Sequence, residues 1–231
     1  MRVLISGASR GLGLVVAQHH LEKGNEVICV GRTKPHLECE FIEIDFTSLP
    51  AAIYLPEPEV VIHCAGGGLG MRGPLIPAKS FYELFMTNLG GQAELNRFIL
   101  PAMMHEKRGY ICHVCSIASG EAVGSVGYNT VKSALAAYVR SLGREMAPYG
   151  VVVSGVSPGA FKSPLGAMER LEAKSPEAYQ EFEEKRLPRG YMGKAEEILP
   201  LLNLLTSKEG SMMGGSVVAC DAGEGRAYET H

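Results

Sequence analysis

Two kinds of chemistry are legible in this chain from residue type and spacing. Tyr128 and Lys132 stand four residues apart in GYNTVKSALAAY, a stretch of helical character, so both side chains fall on one helix face. A phenol can give a proton to, or take one from, a carbonyl oxygen, but a free phenol ionises near pH 10. Bringing that ionisation toward neutrality takes about 4 kcal/mol. An ammonium about 4 Å away supplies about that much at an effective dielectric of 20. Tyr128 and Lys132 are therefore candidates for an acid/base pair. Chance alone gives about 0.4 Tyr–Lys pairs at this helical spacing, so the pair gains meaning only from its surroundings.

The second chemistry is phosphate binding. SGASRGLG places Gly7, Gly11 and Gly13 between an apolar run and a helical pattern. Gly7 suits a tight turn. Gly11 and Gly13 let backbone and helix approach a pyrophosphate, and the helix start offers free N–H groups and a partial positive charge. A dinucleotide site that selects NAD carries an acidic residue at the end of its second strand. Here that strand ends CVGRT, with Gly31 in the acid's place and Arg32 after it. Arg10 lies in the glycine loop itself. Two guanidinium groups suit a 2′-phosphate, so NADP(H) is expected over NAD(H).

Alternating elements must position these groups. RVLIS leads into a helix at about 11–23, closed by Gly24-Asn25; EVICV, EFIEI and EVVIHC follow. A long helix is expected over about 80–106, interrupted at Gly90-Gly91 and Pro101, then YICHVC and a helix over about 128–147. VVVSGV, a polar helical segment at about 164–185, a helix near 195–206 and SVVAC complete the chain. Apolar runs without clean alternation mark strands buried on both faces, hence an α/β fold with a parallel sheet covered by helices. Only nine residues, Gly31 to Cys39, separate EVICV from EFIEI, and they include Pro35. That is short for a helical crossover, and a loop is expected.

Composition narrows the classes. The 231 residues suffice for one large domain. The net charge of −3, without a basic stripe, argues against nucleic acid and anionic membrane as partners. No apolar run reaches 18 residues. The first residues read as an apolar strand, so no cleavable leader is expected, and the cytoplasm is the expected compartment. Six scattered cysteines read as reduced thiols. Cys112 and Cys115 form a C-x-x-C around His113, but on a strand residues i and i+3 face opposite ways, and no metal is expected.

Taken in order, these features resemble the short-chain dehydrogenase/reductase family, in its single-domain branch, from Arg2 to about Gly223. SGASRGLG is similar to the family's TGxxxGxG. EIDFT puts Asp45 at the adenine-contacting aspartate, and HCAG stands where the family has NNAG. MTNLGG puts Asn88 at the helix asparagine, and CHVCSIAS puts Ser116 at the catalytic serine, twelve residues before Tyr128. YNTVK matches YxxxK. SPGAFKSP resembles PGxxxT, with Ser163 for threonine, and GYMGKAEEI and GGSVVACDAG resemble the C-terminal segments. His63 departs from the family asparagine that ties the central strands and is expected to substitute for it structurally.

The resemblance implies a Rossmann-like doubly wound parallel sheet of about seven strands, order 3-2-1-4-5-6-7, in one domain over 1–231, with a substrate lid at about 160–190. It implies interconversion of a ketone and a secondary alcohol. Tyr128 is the acid/base, Lys132 assists it and holds ribose, Ser116 donates to the substrate oxygen, and Asn88 positions a water beside Lys132. Cofactor contacts are implied at Gly7, Ser9, Arg10, Gly11, Leu12 and Gly13. Arg32, Asp45, Phe46, Cys64, Ala65 and Gly66 follow, then Pro158, Gly159, Phe161 and Ser163, beside Asn88, Tyr128 and Lys132. Expected pocket walls are 67–72, 117–126 and 160–173. They contribute Met71, Val123, Phe161, Leu165 and Met168, while Arg72, Lys162 and Arg170 could meet an acidic substrate. A homodimer or homotetramer is implied through the two long helices. Length and glycine spacing disfavour the family's extended epimerase branch. An enoyl reductase would have six residues between Tyr and Lys, where this chain has three. A catalytically weak NADP(H)-sensing protein is the alternative, disfavoured because Asn88, Ser116, Tyr128 and Lys132 are all present.

Overall fold

The β-branched and apolar runs form the strands, and the structure, a computed structural model, describes residues 1–227. Residues 228–231, the end of the expected 1–231 domain, lie outside the described residues. The strands are β1 (Arg2–Ser6), β2 (Glu26–Gly31), β3 (Glu40–Glu43), β4 (Val60–His63), β5 (Gly109–Val114) and β6 (Val151–Pro158). Among the described residues two short strands, β7 (Phe161–Lys162) and β8 (Gly193–Lys194), pair only with each other, and β9 (Val217–Cys220) rejoins the main sheet. The main sheet runs β3-β2-β1-β4-β5-β6-β9 with every pairing parallel. This is the expected order, with SVVAC as the seventh strand. Register sets Ser6 beside His63 and His63 beside His113, across three neighbouring strands.

Both faces are covered, as continuous apolar strands require. The helices are α1 (Gly11–Glu22), α2 (Ala78–Phe85), α3 (Gly91–Glu106), α4 (Val126–Met146), α5 (Ala167–Lys174), α6 (Pro176–Arg186) and α7 (Leu199–Leu205). Val3, Ile5 and Ile62 pack with Leu12 and Val16 of α1 and Leu202 and Leu205 of α7. Leu4, Val61 and Ile111 point the other way, to Leu95 and Ile99 of α3. Each such fully buried side chain contributes about 1.5–3 kcal/mol.

Four differences from the expected elements have local causes. The interruption at Gly90-Gly91 is not a break. Both residues keep helical backbone angles, and Met86–Gly90 forms one π-helical turn joining α2 to α3. Pro101 sits inside α3 without ending it. The polar helix divides in two because Ser175 precedes Pro176, and a residue before proline is pushed out of the helical region. The segment near 195–206 starts as a 3₁₀ turn, Ala195–Ile198, before α7. The expected loop after β2 is present, and the β3–β4 connection also lacks a helix, so edge strand β3 is joined on both sides by loops.

Candidate active site

The phosphate loop is built by close backbone approach. Gly7 has φ +75°, and a Cβ there would lie 2.7 Å from Ala65 Cα. A Cβ on Gly13 would lie 2.3 Å from the Gly7 carbonyl oxygen, so the first turn of α1 can seat against the loop only with glycine. The loop thus presents backbone N–H groups at a helix start, in a cradle that any side chain would fill. This fits a pyrophosphate. Ser9 is half-buried, Leu12 is buried, and Arg10 is exposed. The Gly11 N–H donates to the Pro164 carbonyl at 2.7 Å, bringing the 160–190 segment onto the loop, with buried Ser163 beside Gly11. A cleft of about 420 Å³ opens there, lined by Arg10, Leu165, Glu169, Arg170 and Ala173. Leu165 and Arg170 therefore border the phosphate loop.

On the β2–β3 side, Arg32 is exposed at the end of β2. The Asp45 carboxylate accepts both the N–H and the hydroxyl of Thr47 at 2.8 Å. These bonds, with the charge of Arg32, hold it below the usual carboxylate range. The Phe46 side chain is core, wedged where a Cβ on Gly91 would lie 2.4 Å away. Cys64 packs against Gly13, and burial pushes its thiol up to about 12.

On the β4–β6 side the polar groups converge. Asn88, in the π-helical turn and fully buried, accepts the Gly67 N–H at 2.9 Å and donates to the carbonyls of Gly67 and Leu84. Gly66 has φ +156°, and a Cβ there would lie 2.7 Å from Asn88 Oδ1 and 3.4 Å from Lys132 Nζ. Lys132 is buried, donates to the Val114 carbonyl at 2.8 Å, and lies 5.8 Å from the Tyr128 ring centre. Ser125 caps α4 by accepting the Tyr128 N–H. Tyr128 thus stands in the first helical turn, where the helix dipole favours negative charge. Ser116 Oγ accepts the Ala118 N–H at 3.1 Å, which leaves the hydroxyl proton to donate elsewhere. Pro158 ends β6, Gly159 packs on Glu224 and Asp221, and Phe161 lies half-buried in β7.

Several residues around this site escaped the sequence reading. Asn129 donates to the Glu121 carbonyl and accepts the Gly124 N–H, pinning that loop where a Cβ on Gly124 would lie 2.8 Å from the Tyr128 ring. Glu121 holds the N–H groups of Arg226 and Ala227. Buried Glu224 binds the Ala160 N–H at 2.5 Å and Arg186 at 3.3 Å. Residues 224–227 therefore pack against two of the expected pocket walls, and no motif announced them. Gln92, Asn96 and His113 are fully buried behind Asn88. Gln92 and Asn96 had a visible signal, since with Asn88 they recur every four residues on an otherwise apolar helix face, whereas His113 had none. Burial pushes the Cys115 thiol up to about 11 and the Cys112 thiol higher. Among the described residues no group of His, Cys, Asp and Glu could hold a metal.

Known proteins resemble this chain over most of its length. The family model described as enoyl-(acyl carrier protein) reductase matches residues 51–224. Gluconate 5-dehydrogenase of Gluconobacter oxydans is 28% identical, over 96% of this chain and 93% of its own. The NAD(+)-dependent 2-dehydro-3-deoxy-L-rhamnonate dehydrogenase of a Sphingomonas strain is 26% identical, over 95% and 93%. The solved 3-oxoacyl (acyl-carrier-protein) reductase of Agrobacterium tumefaciens, with NADP bound, superposes with a TM-score of 0.84 at 20% identity, over 96% of this chain and 93% of that one. The chain belongs to the short-chain dehydrogenase/reductase family and is an NAD(P)-dependent oxidoreductase.

Proposed function

We propose that the protein interconverts a ketone and a secondary alcohol with NADP(H), Tyr128 serving as acid/base. The observation that carries this reading is the grouping of Tyr128, Ser116 and buried Lys132 at the β5–α4 corner. The glycine cradle would hold the pyrophosphate of the dinucleotide, and the nicotinamide, when bound, would supply or accept the hydride. Ser116 directs its free hydroxyl proton to the substrate oxygen, and Tyr128 delivers a proton to that same oxygen. The buried Lys132 ammonium favours the phenolate left behind. Asn88 holds Gly67 and is read as positioning a water next to Lys132. Three residues between Tyr128 and Lys132, rather than six, support a ketone over an enoyl substrate.

Arg10 and Arg32 support NADP(H), although a relative's name specifies NAD(+). The 160–190 segment, with its bond to the phosphate loop, is read as the lid. Lys162 is paired with Glu172, and Arg170 donates to the Leu165 carbonyl. Two of the three cations considered for an acidic substrate are thus engaged, which supports a neutral one. Exposed Tyr82, Phe85 and Val126 on α2 and α4 support a homo-oligomer, testable by mass in light scattering. Six free cysteines support the cytoplasm. Among the described residues no helix is long and apolar enough to cross a membrane.

The test follows NADPH consumption against a panel of ketones, including 3-oxoacyl thioesters and sugar-derived ketones. Turnover on one of them is expected. Tight NADPH binding without turnover on any would replace this reading with that of a cofactor sensor.

A further inference from the structure

Behind the catalytic corner lies a closed ring of hydrogen bonds that begins and ends on one residue, Ala65. Ser6, His63, Gln92, Asn96 and His113 are each 0% exposed. The Gln92 side chain donates to the Ala65 carbonyl at 2.7 Å and meets His113 Nδ1 at 2.7 Å. His113 Nε2 meets Asn96 at 3.3 Å, and Asn96 meets His63 Nε2 at 2.9 Å. His63 Nδ1 meets Ser6 Oγ at 3.3 Å, and Ser6 Oγ accepts the Ala65 N–H at 3.4 Å. The two imidazoles stack, with centres 4.6 Å apart.

With both imidazoles neutral, one proton arrangement satisfies the ring. A carbonyl only accepts, so Gln92 turns its NH₂ to Ala65 and its oxygen to His113. His113 therefore carries its proton on Nδ1, and its Nε2 accepts from the Asn96 NH₂. The Asn96 oxygen then faces His63, whose proton sits on Nε2. His63 Nδ1 accepts the Ser6 hydroxyl proton, which leaves Ser6 Oγ to accept from Ala65. The second Asn96 proton reaches the Tyr138 hydroxyl at 3.1 Å. Both termini are backbone groups that do not titrate, so the ring cannot relay protons to the site. What it can do is fix the Ala65 N–H and C=O in direction. The next residues, Gly66 and Gly67, have φ of +156° and +123° and carry the backbone that Asn88 clamps.

We propose that Gln92 is a positioning residue for cofactor binding: through this ring, Gln92 and Ser6 orient the Ala65 peptide groups and hold the Gly66–Gly67 strip in its binding conformation. The proposal rests on the dinucleotide reading of the site.

The test is NADPH fluorescence titration together with kcat at saturating NADPH. Gln92→Met keeps length and removes both bonds. Loss of a buried partner should weaken NADPH binding about 10-fold or more, while kcat at saturation stays within about threefold because the Tyr128 corner is untouched. Ser6→Ala should weaken binding about threefold. An unchanged Kd in Gln92→Met, or a fall in kcat with Kd unchanged, overturns the proposal. If Gln92→Met does not fold, Ser6→Ala decides, and an unchanged Kd again overturns it. Nitrogen chemical shifts should show opposite tautomers, Nε2–H at His63 and Nδ1–H at His113; matching tautomers would break the ring. Wild-type protein that binds neither NADPH nor NADH would sink the functional reading itself, a result distinct from a variant that binds as well as wild type.

Discussion

The two halves of the sheet's ligand-facing edge are built on different principles. On the β1–β3 side, order comes from backbone: glycines 7 and 13 in contact, loops on both flanks of β3, and exposed Arg10 and Arg32. On the β4–β6 side, order comes from buried side chains. Asn88 clamps Gly67, Lys132 is tied to β5, and a ring of five side chains, four from β4, β5 and α3 with Ser6 from β1, returns to Ala65. The contrast teaches where precision is needed. Proton transfer requires groups held to within a fraction of an ångström, and so does a backbone strip that must meet the cofactor; buried, fully satisfied networks hold both that way. A phosphate or ribose needs charge and open space, which an exposed guanidinium provides.

If the halves differ in this way, proton transfer and charge recognition of the cofactor should separate by mutation. Tyr128→Phe is expected to lower turnover at least about 100-fold, the lower range for losing a positioned general acid. NADPH affinity, measured by fluorescence, should change by no more than about twofold, since the cradle lies elsewhere. A variant that keeps more than a few per cent of turnover would remove Tyr128 from its role and blur the division.

The buried half should also report acid. Burial lowers His63 from the ordinary imidazole value of 6.5 to about 4. His113 also lies well below the ordinary imidazole value, first by burial and then through His63 and Lys132. In both, the folded value lies below the unfolded one, so the unfolded chain binds more protons between about pH 6.5 and 4. Stability therefore falls as pH drops through that window, by on the order of 3 kcal/mol for His63. Urea midpoints taken from pH 7 to 4 should decline, and less steeply in His63→Gln. His20 on α1, lowered to about 4 by burial, acts in the same window, so the difference between variant and wild type is the quantity to read. Parallel slopes would mean that His63 is protonated in the folded protein.

How much of this could be read beforehand follows from the same contrast. The glycine loop, Arg10, Arg32, Tyr128 and Lys132 were legible because type and spacing within one short stretch carry the meaning. The sheet was legible because apolar runs on both faces leave few arrangements. The ring was not, because Ser6, His63 and His113 come from three strands that meet only through register. The π-helical turn was read as a gap because two glycines signal a break, whereas here they continue the helix and let Phe46 pack against it. Glu224 and the C-terminal segment left no pattern, since a single carboxylate seated by a distant backbone N–H has no local spacing to betray it.

The smallest effect should come from the open half. Arg10→Ala and Arg32→Ala together are expected to lower kcat/KM for NADPH about 10- to 100-fold, the range for losing charge-assisted bonds to a phosphate. NADH, which lacks the 2′-phosphate, should change by less than about threefold. Because both guanidiniums are exposed, added salt should narrow the wild-type preference for NADPH as screening shortens their reach. Competition between the two cofactors at low and high salt checks this. A wild-type preference for NADH would show that Gly31 and its neighbours bind an unphosphorylated ribose without an acid. The open half would then select by shape rather than by charge.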